Sequence, residues 1–305
     1  MNRRIKIEKH INLGGVGLEI GPGYSPFFSK KDGYRVKTLD HASAEDLRKK
    51  YEHDPKVSIS QIEDVDFVWN GEPYVDLMPG QRFDWVFASH VVEHAPDFVG
   101  FINNCASVLH PNGVLALAVP DKRYTFDFFR QRSSLGAIID AHLDKRTRPS
   151  VGNVVESAAY TLQENKNHSL QSELFDAFAF PASPDARHFS RVAANTAYHD
   201  VHVWAFTPNH FRMIIEILFG LGLIQLRETA FSPTSGCEFY IFLAPDGKGP
   251  MLPVADLAKK AQKERASHSA FVGSGTHWPR KVLGAFDRYW LKGNCKKLYR
   301  YFRKN

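Results

Sequence analysis

The run Glu19-Ile20-Gly21-Pro22-Gly23-Tyr24-Ser25, followed by Asp40, holds the most chemically specific residues of this chain. Glycines at 21 and 23 remove the Cβ atoms that would keep a ligand away from the backbone. A carboxylate such as Asp40, at the end of a following strand, can accept both hydroxyls of a ribose. An ordinary strand-to-helix turn would use the same glycines. A dinucleotide site asks for Gly-x-Gly-x-x-Gly. Here the third position is Pro26, and Glu19 would repel a pyrophosphate. An acid beside the glycines suits a ligand that carries a ribose and a cationic group but no phosphate.

Other candidate groups lie further along. His90, next to Ser89, has the chemistry to take a hydroxyl proton during a group transfer; the alternative is a histidine that caps its turn or lines a pocket. Glu93 and His94 are expected to shape that turn and the start of the next helix. Asp121, with Arg123 and Tyr124, would orient a polar substrate or accept its proton, with a salt-bridged loop start as the alternative. The run His199-Asp200-Val201-His202 has a spacing compatible with a divalent ion, but the ligand set is incomplete and no metal is assigned. Asp200, His202 and Trp204 are expected to return toward the site as polar substrate contacts, with His202 joining His90 and Asp121 as catalytic candidates.

The elements that would position these groups alternate. Val16–Ile20, Arg35–Leu39, Asp66–Trp69, Asp84–Ser89 and Val114–Val119 read as strands. Helices are expected over Ala44–Tyr51, with Ser43 as N-cap, and from about Pro96 to Leu109. Such alternation predicts a parallel sheet covered by helices on both faces. Residues 121–204 break the rhythm; about 80 residues are too many for a connector, so an inserted helical cap over the substrate is expected. Their aromatic clusters suit stacking on a sugar or simple core packing. Pro208–Leu221 then reads as an amphipathic helix, and Leu223–Phe231 and Glu238–Leu243 as an antiparallel hairpin around Pro233-Thr234-Ser235-Gly236.

At this point the sequence resembles class I S-adenosylmethionine-dependent methyltransferases. Glu19-x-Gly21-x-Gly23 is similar to their first motif, with Ser25 in place of the last glycine. Asp84 to His94 resembles their fourth-strand segment, Leu109 to Leu115 the turn into their fifth strand, and the final hairpin their antiparallel sheet edge. The resemblance implies an α/β, Rossmann-like, doubly wound sheet, mostly parallel, with a C-terminal antiparallel hairpin strand. It also implies S-adenosyl-L-methionine as cofactor: Glu19, Gly21 and Gly23 around the methionine and ribose, Asp40 on the ribose hydroxyls, Asn70 or alternatively Glu72 near the adenine, and Ser89 and His90 facing the methyl. The Asn/Asp-Pro-Pro-Tyr of enzymes that methylate nucleobase and glutamine nitrogens is absent. A hydroxyl acceptor, such as a sugar or surface-glycan end, is the favoured expectation; N- or C-methylation of a small metabolite, or a non-catalytic binding protein of this fold, are the alternatives.

Composition bounds these readings. With 305 residues, 43% of them hydrophobic and 24% charged, the chain has an ordinary globular make-up, so wholesale disorder is excluded. No apolar run reaches the roughly 20 residues needed to cross a bilayer. The basic N-terminal stretch lacks the apolar segment of a secretory signal. Cys105, Cys237 and Cys295 are too scattered for a disulfide framework, which suits a reducing, cytoplasmic setting. Net charge is +6, yet residues 251–305 carry thirteen Lys or Arg against three acids, so the rest of the chain is net negative. That distribution argues against a nucleic-acid-binding body. It predicts a methyltransferase domain over residues 1–250 and a basic helical C-terminal extension over 251–305. The aromatic, basic stretch 281–304 is suited to peripheral contact with an anionic membrane, or to packing on the body.

Overall fold

The computed structural model describes residues 3–55, 57–160, 163–164, 178–179, 185–195 and 197–273. Seven strands form one sheet in the order β3-β2-β1-β4-β5-β9-β8. They are β1 (Gly17–Ile20), β2 (Val36–Asp40), β3 (Phe67–Val68), β4 (Phe83–Ser89), β5 (Leu109–Pro120), β8 (Arg227–Ser235) and β9 (Glu238–Ala244). The two-residue strands β6 (Gln163–Glu164) and β7 (Phe178–Ala179) pair separately. β1 to β5 run parallel, while β9 lies antiparallel between β5 and β8. The sheet is therefore the doubly wound, mostly parallel one with a C-terminal antiparallel hairpin that the sequence predicts.

The order reverses at β1, which pairs with β2 on one side and β4 on the other. In such sheets the crevice beyond the carboxyl ends of these strands is where ligands bind, and the Gly21–Gly23 turn and Ser89 fall there.

Side chains alternate across the strands and build two cores. Leu18, Ile20, Val86 and Ala88 face helices α4 (Phe98–Ser107) and α8 (Pro208–Gly220). Trp85 and Phe87 face the other side, with Phe28 and Ile7 of helix α1 (Arg3–Glu8). Gly17 serves that second core: a Cβ there would sit 2.0 Å from the Trp85 ring. Ser43 caps α2 (Ala44–Tyr51) by accepting from the Asp46 N–H, as its sequence signature indicates. A one-turn helix, α3 (Tyr74–Leu77), follows β3. Between β5 and α8 come α5 (Leu135–Leu143), α6 (Val151–Tyr160) and α7 (Ala186–Ala194).

Some boundaries depart from the sequence reading. β5 begins at Leu109, and Pro111-Asn112-Gly113 lies within it across a shift in register with β4. The hairpin's first strand begins at Arg227; Ile224 and Leu226 are buried in the core as connector. The hairpin closes where Ser235 pairs with Glu238 around Gly236, whose φ of +71° favours glycine. Beyond the sheet, α9 (Val254–Gly273) packs on the body through buried Leu257 and Ala261, and Glu264 accepts from the Asn209 backbone and side-chain N–H groups. The aromatic, basic stretch 281–304 lies outside the described residues. Among the described residues no helix is long and apolar enough to cross a membrane.

Candidate functional site

On the β1–β2 side, backbone amides shape the site. Glu19, on the last turn of pleat in β1, is 2% exposed, and its two oxygens accept from the Phe27 and Phe28 N–H groups at 2.7 and 2.9 Å. Burial raises its pKa to about 7; those two donors and the Arg3 charge pull against it. The carboxylate thus closes the segment after Gly21–Gly23 into a compact turn. Both glycines have positive φ, +66° and +56°, and a Cβ on Gly21 would lie 2.9 Å from Val91 beyond β4. Asp40, ending β2, accepts from the Gly23 N–H at 2.8 Å and from the His41 backbone N–H at 2.8 Å. The His41 ring lies 2.6 Å from the same carboxylate. Burial pushes the Asp40 pKa up, but His41 and the two amides outweigh it and hold it below the ordinary value. Asn70, just past β3, is exposed; its N–H donates to Glu72, and the Trp69 N–H donates to the Asp40 carbonyl.

Beyond β4 the partners are side chains. Ser89 accepts a hydrogen bond from Arg3 at 2.5 Å. His90 takes a left-handed backbone (φ +54°), a strained conformation for a residue with a Cβ. Its N–H reaches the Ala118 carbonyl, and its Nε2 lies 2.9 Å from Glu238. Glu238, fully buried at the start of β9, also accepts from Arg3 Nε at 2.6 Å and from the Tyr240 hydroxyl at 2.5 Å. Burial would raise its pKa; Arg3 and His90 more than offset that and hold it well below the carboxylate range. Arg3 also stacks 5.0 Å over the Phe27 ring, so α1 ties the glycine-turn segment to the β4 edge.

One turn on, in the short 3-10 segment Val92–His94, a second group converges. The segment 201–206 is held alongside because the Val203 and Trp204 N–H groups both donate to the Glu93 carbonyl. This places His202 Nε2 3.7 Å, His94 Nε2 3.9 Å and His90 Nδ1 3.8 Å from one oxygen of Glu93. The Glu93 carboxylate is fully buried and has no hydrogen-bond partner. Behind the rings stand two further acids. His202 Nδ1 is 2.5 Å from Asp127, and His94 Nδ1 is 2.9 Å from Asp200. Burial opposes ionisation of both acids, but His202 and Arg130 keep Asp127, and His94 keeps Asp200, well below the ordinary range. The His94 pKa is raised by Asp200 and Glu93 against its burial.

The structure therefore gathers Glu19, Gly21, Gly23 and Asp40 on one side, and Ser89, His90 and His202 on the other. Asp121 stands apart. It is fully buried, and its carboxylate accepts from the Arg123 guanidinium at 2.6 Å and the Thr234 hydroxyl at 2.6 Å. Trp204 is also core, donating to the Ala95 carbonyl at 2.6 Å. Sequence reasoning missed Arg3, Asp127 and Glu238. The only signal for Asp127 was an acid set among the aromatics of Tyr124–Phe129, where a buried charge must find a partner.

Comparison with known proteins places the chain in a family. The family described as a methyltransferase domain matches residues 3–203, well over half of the chain. A 49-residue segment is 35% identical to the ubiquinone biosynthesis O-methyltransferase of Rhodopseudomonas palustris (strain HaA2) and 37% identical to that of Bradyrhizobium sp. (strain ORS 278). Each match covers 16% of this chain and only 19% of the relative's length. Among solved structures, a glycopeptide N-methyltransferase, MtfA, complexed with S-adenosyl-L-methionine is 13% identical, with 80% of this chain and 86% of that one covered and a TM-score of 0.39. A SAM-dependent methyltransferase from Aquifex aeolicus is also 13% identical, with 79% and 88% covered and the same score. At such scores the structural likenesses add no weight, and the assignment stands on the family match. With that match over residues 3–203, the chain belongs to the methyltransferase-domain family.

Proposed function

We propose that the protein moves a methyl group from S-adenosylmethionine to an oxygen of a small polar acceptor, with a sugar or surface-glycan end as the favoured class. The observation that carries this reading is the set of acid-backed imidazoles beyond β4. A sugar hydroxyl has a pKa far above neutral, so its proton must leave as the bond to carbon forms. His90 is paired with Glu238 through Nε2, which leaves Nδ1 for proton transfer, while Asp127 orients the His202 ring beside it.

The residues at the switch point fit the donor. Glu19, Gly21 and Gly23 would surround its methionine portion, Asp40 its ribose, Asn70 its adenine, and Ser89 would lie by the sulfonium. The set is rich in oxygen acceptors and matches a cation with a diol. Asp40 is 2% exposed, so the mostly exposed His41 ring must swing aside for ribose hydroxyls to take its place. When bound, the donor supplies a methyl on a positive sulfur, a good leaving group that needs no acid. What this chain adds is alignment and a dry pocket. Asp121, held between Arg123 and Thr234, would brace the end of β5 beside the acceptor. The helices between β5 and α8, within residues 121–204, would form the acceptor cap. The stretch 281–304 would bring the enzyme to the inner face of a membrane, where lipid-linked acceptors lie.

N-methylation of a small amine is the second reading, since the Glu93 carboxylate, whose oxygens accept no hydrogen bond, would also hold an ammonium group. Incubation with labelled S-adenosylmethionine and matched panels of sugars, glycolipids and amines separates the two. Label in a methyl ether supports the first reading; label confined to amines overturns it.

A further inference from the structure

We propose that Glu93, His94 and His202 bind one divalent transition-metal ion of the zinc type. One ligand atom from each lies within 4.8 Å of the others. The Glu93 oxygen is 3.7 Å from His202 Nε2 and 3.9 Å from His94 Nε2, too far for hydrogen bonds. Ligands about 2.1 Å from a shared ion stand roughly 3–4 Å apart, so these gaps match an ion at their centre.

Two further observations are independent of those distances. The Glu93 carboxylate is fully buried with neither oxygen hydrogen-bonded, a costly state unless something positive meets it. Each imidazole is also backed by an acid at its other nitrogen, His202 by Asp127 at 2.5 Å and His94 by Asp200 at 2.9 Å. For His202 that pair is a hydrogen bond, which fixes the proton on Nδ1 and turns the Nε2 lone pair inward, the usual arrangement behind a metal-bound histidine, while Asp200 stands as a counter-charge beside His94. Two imidazoles and one carboxylate suit zinc, iron, cobalt or manganese better than calcium or magnesium. Three protein ligands leave coordination positions open, and His94, 22% exposed at its side chain, opens a way in. The sequence run 199–202 contributes one ligand, His202, and one backing acid, Asp200; its partners come from the turn after β4, about 110 residues earlier. An acceptor oxygen at an open position would be acidified by the ion. That last use rests on the oxygen-acceptor reading above, whereas the ion's presence does not.

The test is metal binding by the full chain, stripped with chelator and titrated with Zn2+ or Co2+. We expect one ion per chain by elemental analysis, with visible Co2+ absorption typical of nitrogen and oxygen ligands. Glu93→Gln and His202→Ala should lose stoichiometric binding. Asp127→Asn, which keeps all three ligands, should weaken it about 10- to 100-fold. Circular dichroism identifies variants that fail to fold, and His94→Ala, at the most exposed ligand, stands in for any that do. Absence of uptake by the unmodified chain, or equal uptake by the folded variants, overturns the proposal. Methyl-ether formation by the metal-free chain would leave the acceptor reading standing and remove the ion from it. A bound ion with no methyl ether formed from any hydroxyl would do the reverse.

Discussion

The carboxylates on the two sides of the switch point are equally withdrawn from water, yet they are treated in opposite ways. Glu19 and Asp40 spend their oxygens on backbone N–H groups of the turn they enclose. Glu93 spends none. The first arrangement builds a rigid cradle, because an amide is a fixed donor and each such bond restrains the chain between Gly21 and Phe28. The second leaves a charge waiting in a ring of histidines. Donor binding should therefore depend on shape set by the backbone, and methyl transfer on side chains that hold protons or an ion.

The sharpest way to break that contrast is His202→Ala. Turnover should fall about 10²- to 10⁴-fold while the dissociation constant for S-adenosylmethionine, read by calorimetry, changes less than about twofold. Comparable losses in both would merge the two sides. Next comes Asp40→Ala, where loss of charge-assisted hydrogen bonds worth about 1.5–3 kcal/mol should weaken donor binding about 10- to 150-fold. Turnover at saturating donor should be little altered; unchanged donor binding would refute the ribose assignment.

Glu19 gives a pH test. Its pKa in the folded chain, about 7, is raised from an ordinary 4.5. The stabilisation it supplies is complete below that ordinary value and is lost as pH rises through about 7. A cationic donor prefers the ionised form, so its affinity should rise with pH through the same window, with proton release visible as a buffer-dependent heat. Glu19→Gln should abolish that release and, by turning an amide toward an N–H donor, cost about 1–3 kcal/mol in unfolding free energy. The smallest effect is expected at Asn70→Ala, about twofold on donor affinity, because the side chain is exposed and its contacts are local.

What the sequence made legible follows from distance along the chain. The glycine turn, its flanking acid and Asp40 lie within one strand–turn–strand unit, where residue type and spacing suffice. The Ser43 cap is likewise local. The wall beyond β4 depends on pairs such as Arg3 with Glu238 and His202 with Asp127, separated by 235 and 75 residues. Periodicity says which face a residue occupies but not which distant residue meets it there. Arg3 read only as part of a basic N-terminal stretch, and Glu238 as the first residue of a strand. The start of β8 departs from the sequence reading for a related reason: Ile224 and Leu226 are apolar because they are buried in a connector, and apolarity alone does not separate that from a strand.

The insertion of β9 between β5 and β8 has a consequence for how the molecule emerges during translation. Until residues 238–244 leave the ribosome, β5 has no neighbour on its outer side, and Arg3 has Ser89 and the Phe27 ring but not its carboxylate partner. At about 5–20 residues per second, Arg3 of the first helix waits roughly 10–50 s for its Glu238 partner. The nascent chain must therefore complete its donor half first and carry an exposed strand edge through most of its synthesis, which makes the last hairpin the step where chaperone protection matters most.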